Sequence, residues 1–409
     1  MPDLNDYAEI VGQGTIDELR ALASHLEGKE IQNINSTSVG GGVAEILSRM
    51  IPMLRELGVN ARWDVIKGDE QFYSITKKMH NGLHGVEVII SPEEWEHFLR
   101  TNRENAAEIA LARDITYIHD PQPIGLVERK SDMGSKWLWR CHIDITNPQA
   151  ELMTRLLPFI EQYDATVFSA PAFAQTLSLP QILIAPSIDP LSDKNKELPE
   201  AVIESILERF GIDRSRPIVT QISRFDYLKD PVGVIKVFRL VRRHINCQLI
   251  LAGGGATDDP EGMQVLAEVR AAAADDPDIH VIFLPPSSDI EINALQRAST
   301  VVLQKSLREG FGLTVSEALW KGRPVIATAV GGIPLQITHK YSGMLSHSIE
   351  GTAHYLKQLL QEPEFAEQLG KNGKEHVRTN FLITRHIRDY LLLFLSVYHE
   401  GDIVYLEKG

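Results

Sequence analysis

Glu309 and Glu317 flank a glycine-containing stretch, Gly310-Phe-Gly-Leu-Thr-Val-Ser316, that lies between an apolar run at 300–304 and a helix-like run, Leu313–Trp320. A loop passing from strand to helix leaves N–H groups unpaired, and the helix start adds partial positive charge, so an anion is favoured there. The two carboxylates can accept hydrogen bonds from hydroxyls. Phosphate and hydroxyls together on one ligand describe a nucleotide sugar. Glutamates are also ordinary residues of helix starts, so the pair takes its meaning from the loops around it.

A second loop, Ser223-Arg224-Phe-Asp-Tyr-Leu-Lys229-Asp-Pro231, follows the apolar run 217–222 and carries two cations. Pro231 suits a first helical position. A planar guanidinium and a flexible ammonium can neutralise a diphosphate and stabilise charge building on a leaving group. Isolated Arg/Lys pairs are usually solvated; a second phosphate-compatible loop at 310–314 favours the ligand reading. In the first half, Ser36-Thr-Ser-Val-Gly40-Gly41-Gly42-Val-Ala-Glu45 also follows an apolar run. Its glycines allow close approach of backbone to a ligand, although the pattern is not G-x-G-x-x-G and no nicotinamide cofactor is expected. His142 and Asp144, within Trp139-Arg-Cys-His-Ile-Asp-Ile-Thr146, share one side of an extended segment and suit hydroxyl recognition. His119 and Asp120 end another apolar run and are acceptor-side candidates with Asp144. No Ser/His/Asp triad, zinc-ligand spacing or Walker loop stands out, so covalent or metal-dependent hydrolysis is not expected.

These loops need elements to hold them. In the second half, apolar runs at 217–222, 247–252, 280–284, 300–304 and 324–328 alternate with helical-period segments at 232–243, 263–274, 290–298 and Leu313–Trp320. The first half repeats the alternation, with strands expected at 31–35, 61–66, Ile115–His119, 137–142, 166–169 and 182–185. Its expected helices are 43–57, 70–79, 93–110 and 149–162. Short buried strands alternating with helices imply parallel βαβ units. The expected fold is therefore α/β, with two Rossmann-like domains at 1–190 and 191–373 joined through a polar linker at 186–193. A helical tail at 374–409 is expected to pack back on the first domain. Ligands of such domains bind at the carboxyl ends of the strands, which places the expected site in a cleft between the halves.

At 409 residues the chain is long enough for two domains. Its 43% hydrophobic and 23% charged content is that of a soluble globular protein. A net charge of -14 argues against nucleic acid or anionic membrane as partners. Cys141 and Cys247 are the only cysteines and form neither metal spacing nor a disulfide framework. The beginning, Met1-Pro-Asp-Leu-Asn-Asp6, lacks a basic segment and an apolar core. No signal peptide is expected, and the location expected is the cytoplasm.

With these residues assembled, the chain resembles retaining glycosyltransferases of the GT-B fold over essentially its whole length. Glu309 and Glu317 look like that family's two-glutamate motif, Arg224 and Lys229 its diphosphate-binding pair, and Gly40–Gly42 its N-domain glycine loop. More narrowly, STSVGGGVAEIL, WRCHIDIT and QISRFDYLKDP resemble the trehalose glycosyltransferring synthases, with the retaining trehalose phosphorylases close behind. One departure is Gln336, which replaces the commoner glutamate after Gly331-Gly332-Ile-Pro-Leu. The resemblance implies transfer of glucose from a nucleotide diphosphoglucose to free glucose, with retention, giving α,α-trehalose. It implies that Glu309 binds donor-sugar hydroxyls, the Phe311 and Gly312 amides cap the sugar, and the Leu313 and Thr314 amides meet phosphate. Glu317 would take the ribose hydroxyls, and His142 the donor sugar from the opposite domain. Catalysis would require no metal, with room left for divalent-cation stimulation and for a homodimer. An epimerase of nucleotide sugars, or a sensor that binds them without turnover, shares the architecture.

Overall fold

The computed structural model describes residues 2–38, 42–254 and 260–398. Two compact units emerge, one of residues 1–186 with 383–409 and one of residues 187–382.

Unit 1 contains six parallel strands: β1 (Glu30–Asn35), β2 (Asn60–Val65), β3 (Ile115–His119), β4 (Lys136–Cys141), β5 (Ala165–Phe168) and β6 (Gln181–Leu183). Their order is β2-β1-β3-β4-β5-β6. Parallel neighbours need crossover connections, supplied here by helices such as Gly42–Glu56, Glu70–Leu83, Pro92–Glu108 and Ala150–Ile160. The order reverses between β1 and β3, and their carboxyl ends lead into the glycine loop and into His119-Asp120. Gly42 opens its helix and is exposed, whereas Gly40 and Gly41 lie outside the described residues.

Unit 2 contains β7 (Ile218–Ile222), β8 (Gln248–Gly253), β9 (Ile279–Phe283), β10 (Val301–Gln304), β11 (Val325–Thr328) and β12 (Met344–Ser346), in the order β12-β11-β10-β7-β8-β9. Every residue of β7, β8 and β10 is buried, as expected of strands covered on both faces. Val219, Leu249, Leu251, Val301 and Leu303 join Phe238 and Leu356 in one core. Ile218, Ile222, Ile250 and Ala252 join Ile203, Leu207 and Leu295 in another. The alternation of faces along β7 and β8 is the period of two made visible. The sheet reverses between β7 and β10, so the loops following those strands emerge side by side. Gly253 ends β8 where a Cβ would stand 1.8 Å from the Ser223 carbonyl oxygen, so only glycine lets the loop after β7 pass.

Three sequence expectations need correction. Residues 187–193 are not a free linker: Ser187, Asp189 and Ser192 are buried, and Asp189 caps its own turn by accepting from Leu191 N at 2.9 Å. Strand β12, Met344–Ser346, was not foreseen, since it is short and lacks the β-branched or aromatic residues that mark the other strands. The tail is not one helix from 374. One helix, Pro363–Asn380, ends before Phe381, and another, Ile383–Tyr398, begins the return to unit 1. Between them, Phe381 and Leu382 are buried in unit 2, where Ile188 N donates to Phe381 O at 2.8 Å. Residues 374–382 therefore belong to unit 2.

The helix Ile383–Tyr398 packs against the helices Gln13–Ser24 and Gly42–Glu56. It buries Tyr390, Leu391 and Phe394, and the ring of Tyr117 on β3 lies edge-on to Tyr390 at 5.3 Å and to Phe394 at 5.9 Å. We expect Phe394→Ala to cost about 3–5 kcal/mol, the scale of a buried phenyl lost to a cavity. Hydrogen exchange should accelerate in β3 and β4 and stay unchanged in β7 to β10. Unaltered exchange in unit 1 would show that the tail is not part of its core.

Candidate functional site

The loops after β7 and β10 are tied together by charge and backbone. Lys229 ends a short turn, Tyr227–Lys229, capped by Asp226, whose Oδ1 accepts from Leu228 N at 2.7 Å. Gln221 on β7 donates from Nε2 to Lys229 O at 2.8 Å. Lys229 Nζ then reaches both carboxylate oxygens of Glu309, at 2.8 and 2.7 Å. Glu309 Oε2 also accepts from Ser306 Oγ at 3.0 Å and Gln304 Nε2 at 3.3 Å. Leu307 N donates to Leu228 O at 2.7 Å, and Lys305 pairs with Asp230. Asp230 sits at φ +47, a left-handed position that lets its Oδ1 cap Gly233 N at 3.0 Å and start the helix Pro231–Arg242. Arg224 stands apart: its side chain is 63% exposed and its guanidinium lies 3.5 Å from Asp226.

The Glu309 loop rests on the backbone of residues 331–332. Gly331 has φ +55, and a Cβ there would fall 1.6 Å from Glu309 O. Gly332 N donates to Gly310 O at 3.1 Å, and Gln336 Nε2 to Phe311 O at 2.5 Å. A trans peptide holds its C=O and N–H antiparallel, so anchoring the carbonyls of 310 and 311 turns the N–H groups of Phe311 and Gly312 the opposite way. Among the described residues, no hydrogen bond occupies the N–H groups of Phe311, Gly312, Leu313 or Thr314. The last two open the helix Leu313–Trp320, after Gly312 at φ +83. Donors of this kind, two before the helix and two in its first turn, favour an anion.

Glu317, one helical stretch further, is 2% exposed. Gln296 Nε2 lies 3.4 Å from its Oε2 and Lys194 Nζ 4.0 Å from its Oε1. Lys321 donates to the Glu317 backbone carbonyl at 3.1 Å and to Asn195 Oδ1 at 2.9 Å. Burial pushes the Lys321 ammonium down to about 7.

In unit 1, His142 follows β4 and His119 ends β3, with their rings stacked at 5.5 Å. His142 Nε2 and His119 Nδ1 are 3.2 Å apart, and His119 Nε2 is 3.0 Å from Asn33 Oδ1. Arg140 Nε donates to His142 Nδ1 at 3.4 Å. A guanidinium cannot accept, so Nδ1 of His142 is the acceptor and its proton sits on Nε2. The chain then runs one way: His142 donates to His119, and His119 donates to Asn33. Burial holds both imidazoles well below their usual pKa, and the charge of Arg140 adds to the effect. Asp120, at φ +65, accepts from His142 N at 2.7 Å, and burial raises its carboxyl to about 6. Asp144 Oδ1 accepts from Thr146 N at 3.0 Å and Thr146 Oγ1 at 2.6 Å.

The structure thus brings Lys229, Glu309, Phe311, Gly312, Leu313 and Thr314 together, with Arg224 at the margin and Glu317 deeper in the same unit. His119 was expected on the acceptor side. It is 1% exposed, whereas His142, whose ring nitrogens are likewise engaged, is only half-buried, so His119 lies inside unit 1 as the partner of His142. Asp120 likewise turns one carboxylate oxygen to the His142 backbone. Sequence reasoning missed Gln304, Lys305 and Ser306. Gln304 ends β10 and Lys305 and Ser306 follow it, a polar run whose partners the sequence does not spell out. Among the described residues, no three His, Cys, Asp or Glu side chains are grouped to hold a metal ion. None of their helices is long and apolar enough to cross a membrane.

Comparison with known proteins follows the division into halves. Residues 33–175 match the family described as Trehalose synthase, N-terminal domain, and residues 202–376 match Glycosyl transferases group 1. A trehalose synthase of Pyrococcus horikoshii is 44% identical over 96% of this chain and 96% of its own length. A trehalose phosphorylase of Pleurotus pulmonarius is 30% identical over 92% of this chain but only 58% of its own length. In structure, the UDP-forming α,α-trehalose-phosphate synthase of Burkholderia xenovorans superposes with TM-score 0.72 at 13% identity, covering 89% of this chain and 99% of that one.

The buried histidines make unit 1 sensitive to acid. His119, His142 and His386 all have lowered pKa values through burial and the nearby Arg140 charge. On falling pH the unfolded chain takes up protons at these positions that the folded chain refuses, so stability drops. Asp120 acts oppositely, since its raised pKa lets the folded chain bind a proton below about 6. Three against one leaves the unfolded chain with the greater proton uptake as pH falls through the ordinary histidine range, so stability should decline there. Urea unfolding followed by the fluorescence of Trp137 and Trp139 on β4 should show it. A flat stability between pH 7 and 5 would contradict the neutral histidine chain.

Proposed function

Because the chain belongs to the trehalose synthase family of glycosyltransferases, we propose that it transfers glucose, with retention, from a nucleotide diphosphoglucose to free glucose. The products are α,α-trehalose and the nucleoside diphosphate, and UDP-, ADP- and GDP-glucose are the donors to compare. The observation that carries this reading is the pairing of Lys229 with Glu309 beside four unoccupied amides at the reversal of the unit 2 sheet.

In this reading the Leu313 and Thr314 amides take phosphate oxygens, while those of Phe311 and Gly312 cap the sugar. Lys229 and Arg224 stabilise the charge that grows on the diphosphate as the glycosidic bond breaks. Glu309, relieved of part of its contact with Lys229, accepts from sugar hydroxyls. Glu317 takes the ribose hydroxyls. Unit 1 contributes His142 to the sugar, held neutral by its neighbours, with Asp144 as the acceptor-side residue. Retention without a carboxylate nucleophile means that the acceptor enters on the face the phosphate leaves, and the departing phosphate oxygen takes the acceptor's proton. No step in this scheme draws on a divalent cation, and any cation effect would be stimulatory. The chain acts in this scheme on small molecules, as a monomer or a homodimer.

Glucose with each nucleotide diphosphoglucose, set beside glucose with glucose 1-phosphate, tests the reaction directly. NMR of the product should show two α-anomeric linkages and no reducing end. Arg224→Ala and Lys229→Ala should each lower kcat by about 100-fold, the scale of losing transition-state charge stabilisation. A reducing disaccharide would reject trehalose, and turnover confined to glucose 1-phosphate would make the protein a phosphorylase. Near-normal kcat in both variants would remove the diphosphate role from these cations.

A further inference from the structure

Gln336, the departure noted in the sequence, closes a short helix, Ile333–Gln336, directly beneath the turn that carries the amides. It is 0% exposed. Its Nε2 donates to Phe311 O at 2.5 Å, and its Oε1 accepts from Ser316 Oγ, also fully buried, at 2.6 Å. The partners fix the orientation of the side-chain amide: a backbone carbonyl can only accept, so nitrogen must face it. A carboxylate at this position could still accept from Ser316 but would oppose the Phe311 carbonyl.

We propose that Gln336 is a positioning residue, whose amide N–H holds the Phe311 carbonyl inward and thereby aims the Gly312 N–H at the bound ligand. The bond acts through the peptide plane of residues 311 and 312, as the bond from Gly332 to Gly310 O acts on the Phe311 N–H. The Phe311 ring is held by packing, against Phe381 at 5.5 Å and over Gly332, where a Cβ would meet the ring at 2.5 Å. Packing fixes where the ring sits. The hydrogen bond fixes which way the following amide points. The inference rests on the proposed function only in taking those amides to be ligand donors.

The test exploits the difference between an amide and a carboxyl group. In Gln336→Glu the neutral acid can donate to Phe311 O, and the ionised acid cannot. Titratable groups on the segments packed against its helix include Glu317 on Leu313–Trp320, Lys321 just after it, and Lys374, Glu375, His376 and Arg378 on Pro363–Asn380, with His376 Nε2 at 2.9 Å from Leu335 O, besides Glu309 on the turn itself. Acids and cations are both present, so burial is what favours the neutral form, and its ionisation should fall above the ordinary carboxyl range.

The affinity of the full-length wild type, Gln336→Glu and Gln336→Met for the nucleotide diphosphoglucose, whose sugar the Gly312 N–H would cap, is measured by calorimetry without glucose from pH 5 to 8.5, alongside kcat/KM for the same donor. Gln336→Met should bind about tenfold more weakly at every pH, the scale of one buried hydrogen bond. Gln336→Glu should approach wild type at the acid end and lose about tenfold as its carboxyl ionises. Ser316→Ala, which frees the amide to rotate, should weaken binding several-fold and keeps the idea testable where a substitution at 336 prevents folding. Wild-type affinity in Gln336→Met or Ser316→Ala, or a Gln336→Glu profile parallel to wild type, would overturn the proposal. A wild-type chain that binds the nucleotide diphosphoglucose but transfers no sugar would instead overturn the functional reading, leaving the binding comparison intact.

Discussion

The reversal of strand order between β7 and β10 is the constraint on which the unit 2 site depends. Elsewhere in the sheet, a loop leaving one strand crosses toward the same side as its neighbour's. At the reversal the two loops diverge, and a concave space opens above adjacent strand ends. Lys229 and Glu309 are 80 positions apart in sequence, yet β7 and β10 pair through Val219 and Val301, so the loops start from neighbouring strands. Three links then fasten them: the Lys229–Glu309 pair, the Lys305–Asp230 pair, and the bond from Leu307 N to Leu228 O. Glycine is required where these loops meet other backbone, at Gly253 under Ser223 and at Gly331 under Glu309.

Unit 1 solves a different problem at its own reversal, between β1 and β3. Its strands carry polar side chains inward, among them Gln32, Asn33, His119 and Arg140. An unpaired buried polar group is costly, and a buried guanidinium more so. Gln32 is bonded to Asp64 and to the Ala110 and Ala112 backbone, while Arg140 donates to Ile184 O at 2.9 Å and lies over the Tyr390 ring at 5.4 Å. The tail helix therefore covers a charge that adds to burial in keeping the two histidines neutral. A segment far away in sequence conditions the protonation of residues at the strand ends.

Much of this was legible in the sequence, and the exceptions have physical reasons. Ile115–His119 and Leu313–Trp320 were read with the observed bounds because apolar runs there end abruptly at polar or glycine residues. The break between the helices ending at Asn380 and starting at Ile383 was invisible, since Phe381 and Leu382 continue an apolar pattern although they are buried in unit 2. Glu309 could be picked out by type and position, but its immediate partners Ser306 and Gln304 could not. Hydroxyls and amides are common in loops, and only the folded backbone says which of them meets the carboxylate. Gln336 was visible as a departure from a pattern, yet its partner Phe311 O is a backbone atom that no sequence spells out. The direction of an amide is a property of peptide planes. It becomes readable only with coordinates.

The charge arrangement bears on what such a site selects. A chain of formal charge -14 has no general attraction for anions, and at physiological salt charges more than about 8 Å away are largely screened. Locally, each cation has a carboxylate: Arg224 with Asp226, Lys229 with Glu309, Lys305 with Asp230. Before a ligand arrives the cluster is close to neutral, and the amides of 311 to 314 supply its positive end. A phosphate drawing on Lys229 takes the counter-charge from Glu309 and leaves a nearly buried carboxylate with the neutral donors Ser306 and Gln304, which is unfavourable. Inorganic phosphate offers nothing in return. On the proposed reading a nucleotide sugar does, because its hydroxyls donate to the same carboxylate that the phosphate has deprived. On that reading the ion pair is a selector, opposing anions alone and admitting those that bring hydrogen-bond donors at the distance of a sugar from its diphosphate.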